Sequence, residues 1–129
     1  MNSMKHIIIL ALIFYGVNVY AQPSQRQKMI HMAAVRISDT IQVKESNKDA
    51  FISLYQKYKK ECSVIMAESP EQIGDADKDA EAKILSDFGK SAKLLELRKK
   101  YYFEFRKILS PPQIQKMYDM EYDTAVSRR

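Results

Sequence analysis

The stretch ILSDFGKSAKLLELRKKYYFEFRKILSPPQ, residues 84–113, decides the fold. Its apolar residues recur at helical spacing until a pair of prolines interrupts them: Ile84, Leu85, Phe88, Ala92, Leu95, Tyr102, Phe105, Ile108 and Leu109. This spacing predicts a helix of about 32 residues, roughly 48 Å long. Glu96, Lys100 and Glu104 form oppositely charged pairs at spacing i,i+4, which would stabilise it. A chain this small cannot cover such a helix from end to end with its own core.

The prolines mark the start of another helix. Ser110 can cap that helix, Pro111 suits its first position, and Gln113 can return to the Ser110 backbone to complete a capping box. Because Pro111 and Pro112 also prevent the preceding helix from continuing, the chain must bend here. The new helix is predicted from the spacing of Ile114, Met117, Tyr118, Glu121, Tyr122 and Ala125.

Two further helices precede the long one. Residues 25–40 carry a weak, methionine-rich apolar stripe, and residues 48–68 carry a clear amphipathic one. The second stripe consists of Phe51, Leu54, Tyr55, Tyr58, Cys62, Ile65 and Met66. Residues 69–77 read as a connector, since Pro70 stops one helix and Gly74 lies among polar residues. The predicted fold is therefore all-α, with four helices of which the second and third are long.

The N-terminal residues resemble an export signal. Lys5 supplies a basic start, residues 7–17 are almost continuously apolar, and Val19-Tyr20-Ala21 forms a cleavage pattern. A retained membrane anchor is the alternative, but spanning a bilayer needs roughly 20 apolar residues. We therefore expect residues 1–21 to be a cleaved signal peptide and residues 22–129 to form one exported helical domain, without stable membrane insertion after cleavage.

Charge and cysteine content restrict the function. Only Lys5 of the 21 basic residues lies in the signal, which leaves 20 Lys and Arg against 16 Asp and Glu, a formal charge of +4. The two signs are interleaved, so a nucleic-acid partner is not expected. The single Cys62 cannot form an internal disulfide. The sequence contains no recognisable nucleophile–histidine motif and no phosphate-binding glycine loop, so we expect no enzyme activity and no cofactor.

The sequence gives only weak evidence for either of two candidate metal sites. His31 has no His or Cys partner three or four residues away. A soft copper site could use Cys62 with Met29, Met32 and Met66, although methionines at helical spacing more often form core or contact surface. We therefore predict no metal site.

An acidic motif resembles the start of a calcium-binding loop. Asp75, Asp77 and Asp79 have the right spacing, but Ala80 replaces the required Gly and Ser86 the required Glu. We expect these carboxylates to stabilise the start of the third helix, because a helix dipole attracts negative charge there.

A candidate surface for clients or partners combines methionines with cations: Met29, Met32, Arg36, Lys57, Lys60, Lys99, Lys100 and Arg106. Such cations either line a basic concave face or are ordinary solvated surface. The tyrosines leave two alternatives as well, a partly wet interface or the edge of a thin core: Tyr55, Tyr58, Tyr101, Tyr102, Tyr118 and Tyr122.

The motif Leu109-Ser110-Pro111-Pro112-Gln113, with an export signal and four helices, resembles the Spy/CpxP-type periplasmic family. That family repeats Leu-Thr-x-x-Gln at helix starts, and Ser110 keeps the capping hydroxyl. A degenerate first copy falls at residues 43–47, where Lys44 replaces the capping Thr and Asn47 the Gln. The resemblance implies a bent helical hairpin that pairs into a curved homodimer in the periplasm. The metal-responsive branch uses paired N-terminal histidines, which this chain lacks.

The resemblance implies a binding protein, and two functions remain. The first is an ATP-independent, holdase-type chaperone that binds unfolded or misfolded envelope proteins through electrostatic steering and loose apolar contact. The second is an envelope-stress regulator that binds one specific membrane protein, which the drift at Lys44 and Asn47 slightly favours. We favour the chaperone.

Overall fold

The computed structural model describes the backbone of residues 21–127 and the side chains of residues 25–122. The helices are α1, Ala21–Thr40; α2, Glu45–Ala67; α3, Ala76–Arg106; and α4, Pro111–Ser127. These residues contain no strand, so the predicted all-α fold with long second and third helices is confirmed. All of the predicted signal peptide except Ala21 lies outside the described residues. Among the described helices, none is long and apolar enough to cross a membrane.

Consecutive helices pack against each other, α1 on α2, α2 on α3 and α3 on α4. Near the α1–α2 turn, Lys48 Nζ lies 2.7 Å from Asp39 Oδ1. Farther along the pair, Gln56 Nε2 lies 3.3 Å from His31 Nδ1. Residues later in α2 therefore contact residues earlier in α1, so the two helices are antiparallel.

The core lies at one end of this arrangement. Rings of α2 and α3 meet there, with centroids 5.9 Å apart for Phe51 and Phe105 and 5.2 Å apart for Tyr58 and Tyr101. The buried apolar side chains are Ala34, Ile37, Ile41, Phe51, Tyr55, Tyr58, Tyr101, Phe105, Leu109, Ile114 and Met117. No residue between positions 59 and 100 is buried. The distal parts of α2 and α3 therefore extend as a hairpin beyond the core.

The apolar stripe predicted for α3 divides between two faces. Phe105 and Tyr101, one turn apart, enter the core, where they are 0% and 2% exposed. Leu95 and Tyr102 from the same predicted stripe are 53% and 36% exposed. Successive residues of a helix are rotated by about 100°, so Tyr101 and Tyr102 cannot share one buried face. The sequence left open whether the tyrosines form a partly wet interface or pack at the edge of a thin core. Tyr55, Tyr58 and Tyr101 are buried in the core, so these three do not form an interface.

The turn after α1 is a Schellman-type helix end. The Val43 N–H donates to the Ser38 carbonyl at 2.9 Å, and the Gln42 N–H donates to the Asp39 carbonyl at 3.3 Å. Gln42 has φ of 60°, the left-handed conformation that this motif usually assigns to glycine. The turn directs the chain into α2 within a few residues and leaves the Ile41 and Gln42 carbonyls available for other donors.

The helices begin close to the predicted positions, but only some of the predicted capping contacts form. α2 begins directly after Lys44, where the degenerate motif copy was placed, but the Lys44 side chain makes no capping bond. At the start of α3, Asp75 accepts hydrogen bonds from the Asp77 and Lys78 N–H groups. Asp79 accepts from Ile73 at 2.9 Å and from Gly74 at 3.1 Å. The predicted position of the three carboxylates at the helix start is therefore confirmed: Asp75 caps the helix, Asp77 and Asp79 lie in its first turn, and Asp79 also holds the connector.

The prediction that Lys100 pairs with Glu96 and Glu104 at i,i+4 is wrong. Lys100 Nζ instead lies 3.9 Å from Glu61 Oε2 on α2. Glu96 and Glu104 pair at i,i+3 with Lys99 and Lys107, at 3.4 and 3.1 Å. The Lys100 ammonium reaches the neighbouring helix because its position on α3 faces α2, so tertiary packing replaces the local pairs.

Candidate functional site

The capping motif forms a junction between α1 and α4. The Ser110 N–H donates to Gln113 Oε1 at 2.9 Å, and the Gln113 N–H donates to Ser110 Oγ at 3.4 Å, which confirms the predicted capping box. Gln113 Nε2 also donates to the Ile41 and Gln42 carbonyls, at 3.1 and 3.2 Å. One side chain therefore caps the start of α4 and binds the end of α1, while Leu109 beside it is buried.

A groove runs between α1 and α2 outside the core. Its volume is about 730 Å³, and we call it the α1–α2 groove. Three apolar side chains and three cations line it, together with Gln27, Gln56 and Ser63. The apolar members are Ile30, Val64 and Ala67, and the cations are Arg26, Lys57 and Lys60. Among the described residues, no Asp or Glu belongs to the lining, so its charged side chains are all positive.

The predicted client surface divides into separate parts. Lys57 and Lys60 line the α1–α2 groove together with Arg26, which the sequence prediction missed. The signal for Arg26 was its i,i+4 spacing to Ile30 on α1, which places both on one face of that helix. The remaining predicted residues lie outside the groove lining: Met29, Met32, Arg36, Lys99, Lys100 and Arg106.

Outside the groove, the predicted residues differ in their contacts. Met29 and Met32 are exposed, at 63% and 69%, and Arg36 is exposed as well. Lys99 and Lys100 take part in the α3 ion pairs described above. Arg106 donates from Nη1 to the Leu109 carbonyl at 2.9 Å, which stabilises the turn after α3. The predicted α3 cations thus serve intrachain contacts, whereas no ion pair between described side chains includes a groove cation.

α3 carries a second exposed surface, which we call its outer face. Its large apolar side chains are between 36% and 68% exposed: Ile84, Leu85, Phe88, Leu95, Tyr102 and Phe103. Phe88, Leu95 and Tyr102 are spaced by seven residues, so they repeat every two turns on one side of the helix. Large apolar side chains exposed along one side of a helix are candidates for an interaction site.

A partly buried polar cluster joins α2, α3 and α4. Arg98 lies over the Tyr118 ring, 6.0 Å from its centroid, and Lys59 Nζ is 3.9 Å from Glu121 Oε1. Burial and the negative Glu121 carboxylate raise the pKa of the Tyr58 hydroxyl, and they do the same for Tyr118. The two tyrosines therefore remain neutral at ordinary pH, and the cluster contributes packing between the three helices.

Cys62 borders this cluster. Burial raises the pKa of its thiol, which therefore stays protonated at neutral pH and is a weak nucleophile and metal ligand. The methionines considered with it for a copper site, Met29, Met32 and Met66, are each more than half exposed. His31 contacts Gln56 rather than a potential metal ligand. Among the described residues, no group of three or more His, Cys, Asp or Glu side chains is arranged to hold a metal ion.

No family model, no curated protein and no solved structure matches this chain.

Proposed function

We propose that this protein is a periplasmic, ATP-independent holdase that binds unfolded or misfolded envelope proteins and acts as a homodimer. The observation that carries the proposal is the outer face of α3, which remains exposed among the described residues. The resemblance of the Leu109–Gln113 motif to the Spy/CpxP-type family supports the same function, and the signal-like residues 1–21 supply the expectation of export. The alternative is a regulator that binds one envelope protein.

An exposed apolar face favours capture of other chains. Phe88 and Phe103, at 66% and 68% exposure, keep much of their apolar area available for burial. Burying an apolar side chain completely contributes about 1.5 to 3 kcal/mol, so a few such contacts suffice for reversible binding. Unpaired cations such as Lys57 and Lys60 would attract acidic segments before these contacts form.

Aggregation assays test the proposed function. The purified protein should suppress aggregation of a chemically denatured model client without nucleotide, and this protection should fade as salt rises. The physical reason is that exposed charges are screened within roughly 10 Å at 0.1 M salt. Absence of protection at both low and high salt would contradict the chaperone and favour a dedicated regulatory partner. Co-purification of one stoichiometric envelope protein would support that regulator.

The proposed homodimer uses part of the same face. Leu95 is exposed in the single chain, so Leu95→Lys should leave the helical content unchanged while it weakens pairing of two α3 helices. The matched control is Ile73→Lys, which introduces the same charge at a side chain that is 66% exposed but lies in the connector before α3. Sedimentation at several protein concentrations measures the pairing. Equal dimerisation of both variants would contradict a dimer through the outer face of α3.

A further inference from the structure

The α1–α2 groove has an electrostatic character of its own. Seven ion pairs form among the described side chains, and none includes Arg26, Lys57 or Lys60. Lys59, between two of these cations in sequence, does pair with Glu121. Within the described part of the chain, no carboxylate therefore lies within ion-pair distance of the groove cations. A concave site lined by charges of one sign attracts ligands of the opposite sign.

The spacing of the cations restricts the ligand further. Lys57 and Lys60 are three residues apart on α2, so they lie on one side of the helix roughly 4.5 Å apart along its axis. The antiparallel contact of His31 with Gln56 brings the start of α1, and with it Arg26, toward the later part of α2. A ligand with two or three neighbouring carboxylates would match this arrangement.

The remaining lining favours a peptide over a lipid. Ile30, Val64 and Ala67 make part of the lining apolar, and Val64 is 63% exposed. Gln27 in the lining offers amide donors and an acceptor. Gln56 Nε2 already contacts His31 and Ser63 Oγ already donates to the Lys59 carbonyl, so these two side chains offer mainly their oxygens as acceptors. A peptide backbone can satisfy these groups, whereas an acyl chain would remove them from water without replacing their hydrogen bonds.

We infer that the α1–α2 groove binds a short polypeptide segment in which apolar side chains are flanked by Asp or Glu. This inference rests on the proposed function, because it names the class of client segment that a polypeptide-binding protein would select. The cation-lined groove would supply the selectivity, and the outer face of α3 lies outside its lining.

The test uses three fluorescent peptides with the same apolar residues but acidic, neutral or basic flanks. Fluorescence anisotropy with the purified protein should show the acidic peptide binding at least tenfold more tightly than the neutral one, and the basic one binding most weakly. The double variant Lys57→Glu/Lys60→Glu should lose at least tenfold in affinity for the acidic peptide. Circular dichroism checks that this variant remains helical.

The matched control is Lys78→Glu/Lys116→Glu, which makes the same change in net charge at two exposed lysines outside the groove. It should lose less than threefold. Equal losses in the two double variants, or equal affinity for acidic and basic peptides, would overturn the inference. Binding of a fluorescent fatty acid without binding of the acidic peptide would also overturn it, because the ligand would then be a lipid.

The experiments distinguish failure of the groove inference from failure of the proposed chaperone function. Wild-type protein that suppresses aggregation but does not bind the acidic peptide contradicts the groove and leaves the chaperone standing. Protein that binds the acidic peptide at the groove but suppresses no aggregation supports this site and contradicts the chaperone.

Discussion

Gln113 offers the sharpest test of how the helices are held together. Its side-chain oxygen accepts two hydrogen bonds from Ser110 at the start of α4, from the N–H and from Oγ, and its Nε2 donates two to the end of α1. A hydrogen bond contributes about 0.5 to 1.5 kcal/mol net, and a helix cap about 1 kcal/mol. Gln113→Ala removes all four bonds, so we expect the free energy of unfolding to fall by about 2 to 3 kcal/mol.

Two comparison variants separate the contributions. Gln113→Glu keeps an acceptor for the Ser110 N–H but replaces the Nε2 donor with a carboxylate oxygen that faces the Ile41 and Gln42 carbonyls. We expect it to be destabilised by at least about 1 kcal/mol even though Glu is favoured at this capping position. Gln115→Ala is the matched control, because Gln115 is an exposed glutamine two residues farther along α4. It should change stability by less than about 0.5 kcal/mol.

Urea denaturation followed by circular dichroism measures these differences at one fixed protein concentration, since pairing of chains would make stability depend on concentration. The slope with urea should stay constant across the variants. If Gln113→Ala and Gln115→Ala are equally stable, the reasoning that this side chain joins α1 to α4 is wrong. If Gln113→Glu is as stable as the wild type, the bonds to the α1 carbonyls contribute nothing.

Two further predictions concern backbone conformation and pH. Gly74 has φ of +88°, so Gly74→Ala should lower the free energy of unfolding by about 1 to 2 kcal/mol. Gly89 lies in the interior of α3 with open space around it, so Gly89→Ala should raise the free energy of unfolding by about 0.5 to 1 kcal/mol. Urea denaturation that shows the same sign for both variants would contradict this reasoning. Burial and the Glu61 carboxylate raise the pKa of Tyr101 to about 12, above its ordinary value of about 10. The unfolded chain therefore loses this proton first, so the free energy of unfolding should hold its Tyr101 contribution below pH 10 and lose it between about pH 10 and 12. Tyr101→Phe should show a shallower decline in denaturation series from pH 8 to 11.5, and an equally steep decline would exclude Tyr101 as a cause.

Much of the fold follows from local sequence. Helical spacing predicted the helices, and Ser110, Pro111 and Gln113 predicted the break and the capping box between α3 and α4. Asp75 and Asp79 were assigned to the start of α3 for the same kind of reason. These features depend on hydrogen bonds and side-chain contacts between residues only a few positions apart, so a short stretch of sequence contains all the participants. The helix ends shifted by a few residues, because the Pro111–Pro112 pair and the terminal turns decide where the hydrogen-bond ladder stops.

The candidate surface was only partly predictable. Lys57 and Lys60 belong to the groove, but Arg26 joins them from a helix about thirty residues away, and only the packing of α1 on α2 sets that register. Lys100 illustrates the same limit, since its spacing to Glu96 and Glu104 predicted local pairs and its orientation on α3 selected Glu61 of α2 instead. Spacing defines which residues share a face, while the neighbouring helix decides which face is buried.

The sequence by itself therefore determined the number and type of helices, the capping box and the acidic start of α3. Tertiary structure alone decided that Tyr101 rather than Tyr102 enters the core, that the outer face of α3 remains exposed, and that Gln113 reaches the end of α1. The last contact joins residues 72 and 71 positions apart in the chain. The physical reason is one of range: local hydrogen bonding and periodicity are written into short segments, whereas these outcomes depend on how complete helices pack around a core that covers only one end of the hairpin.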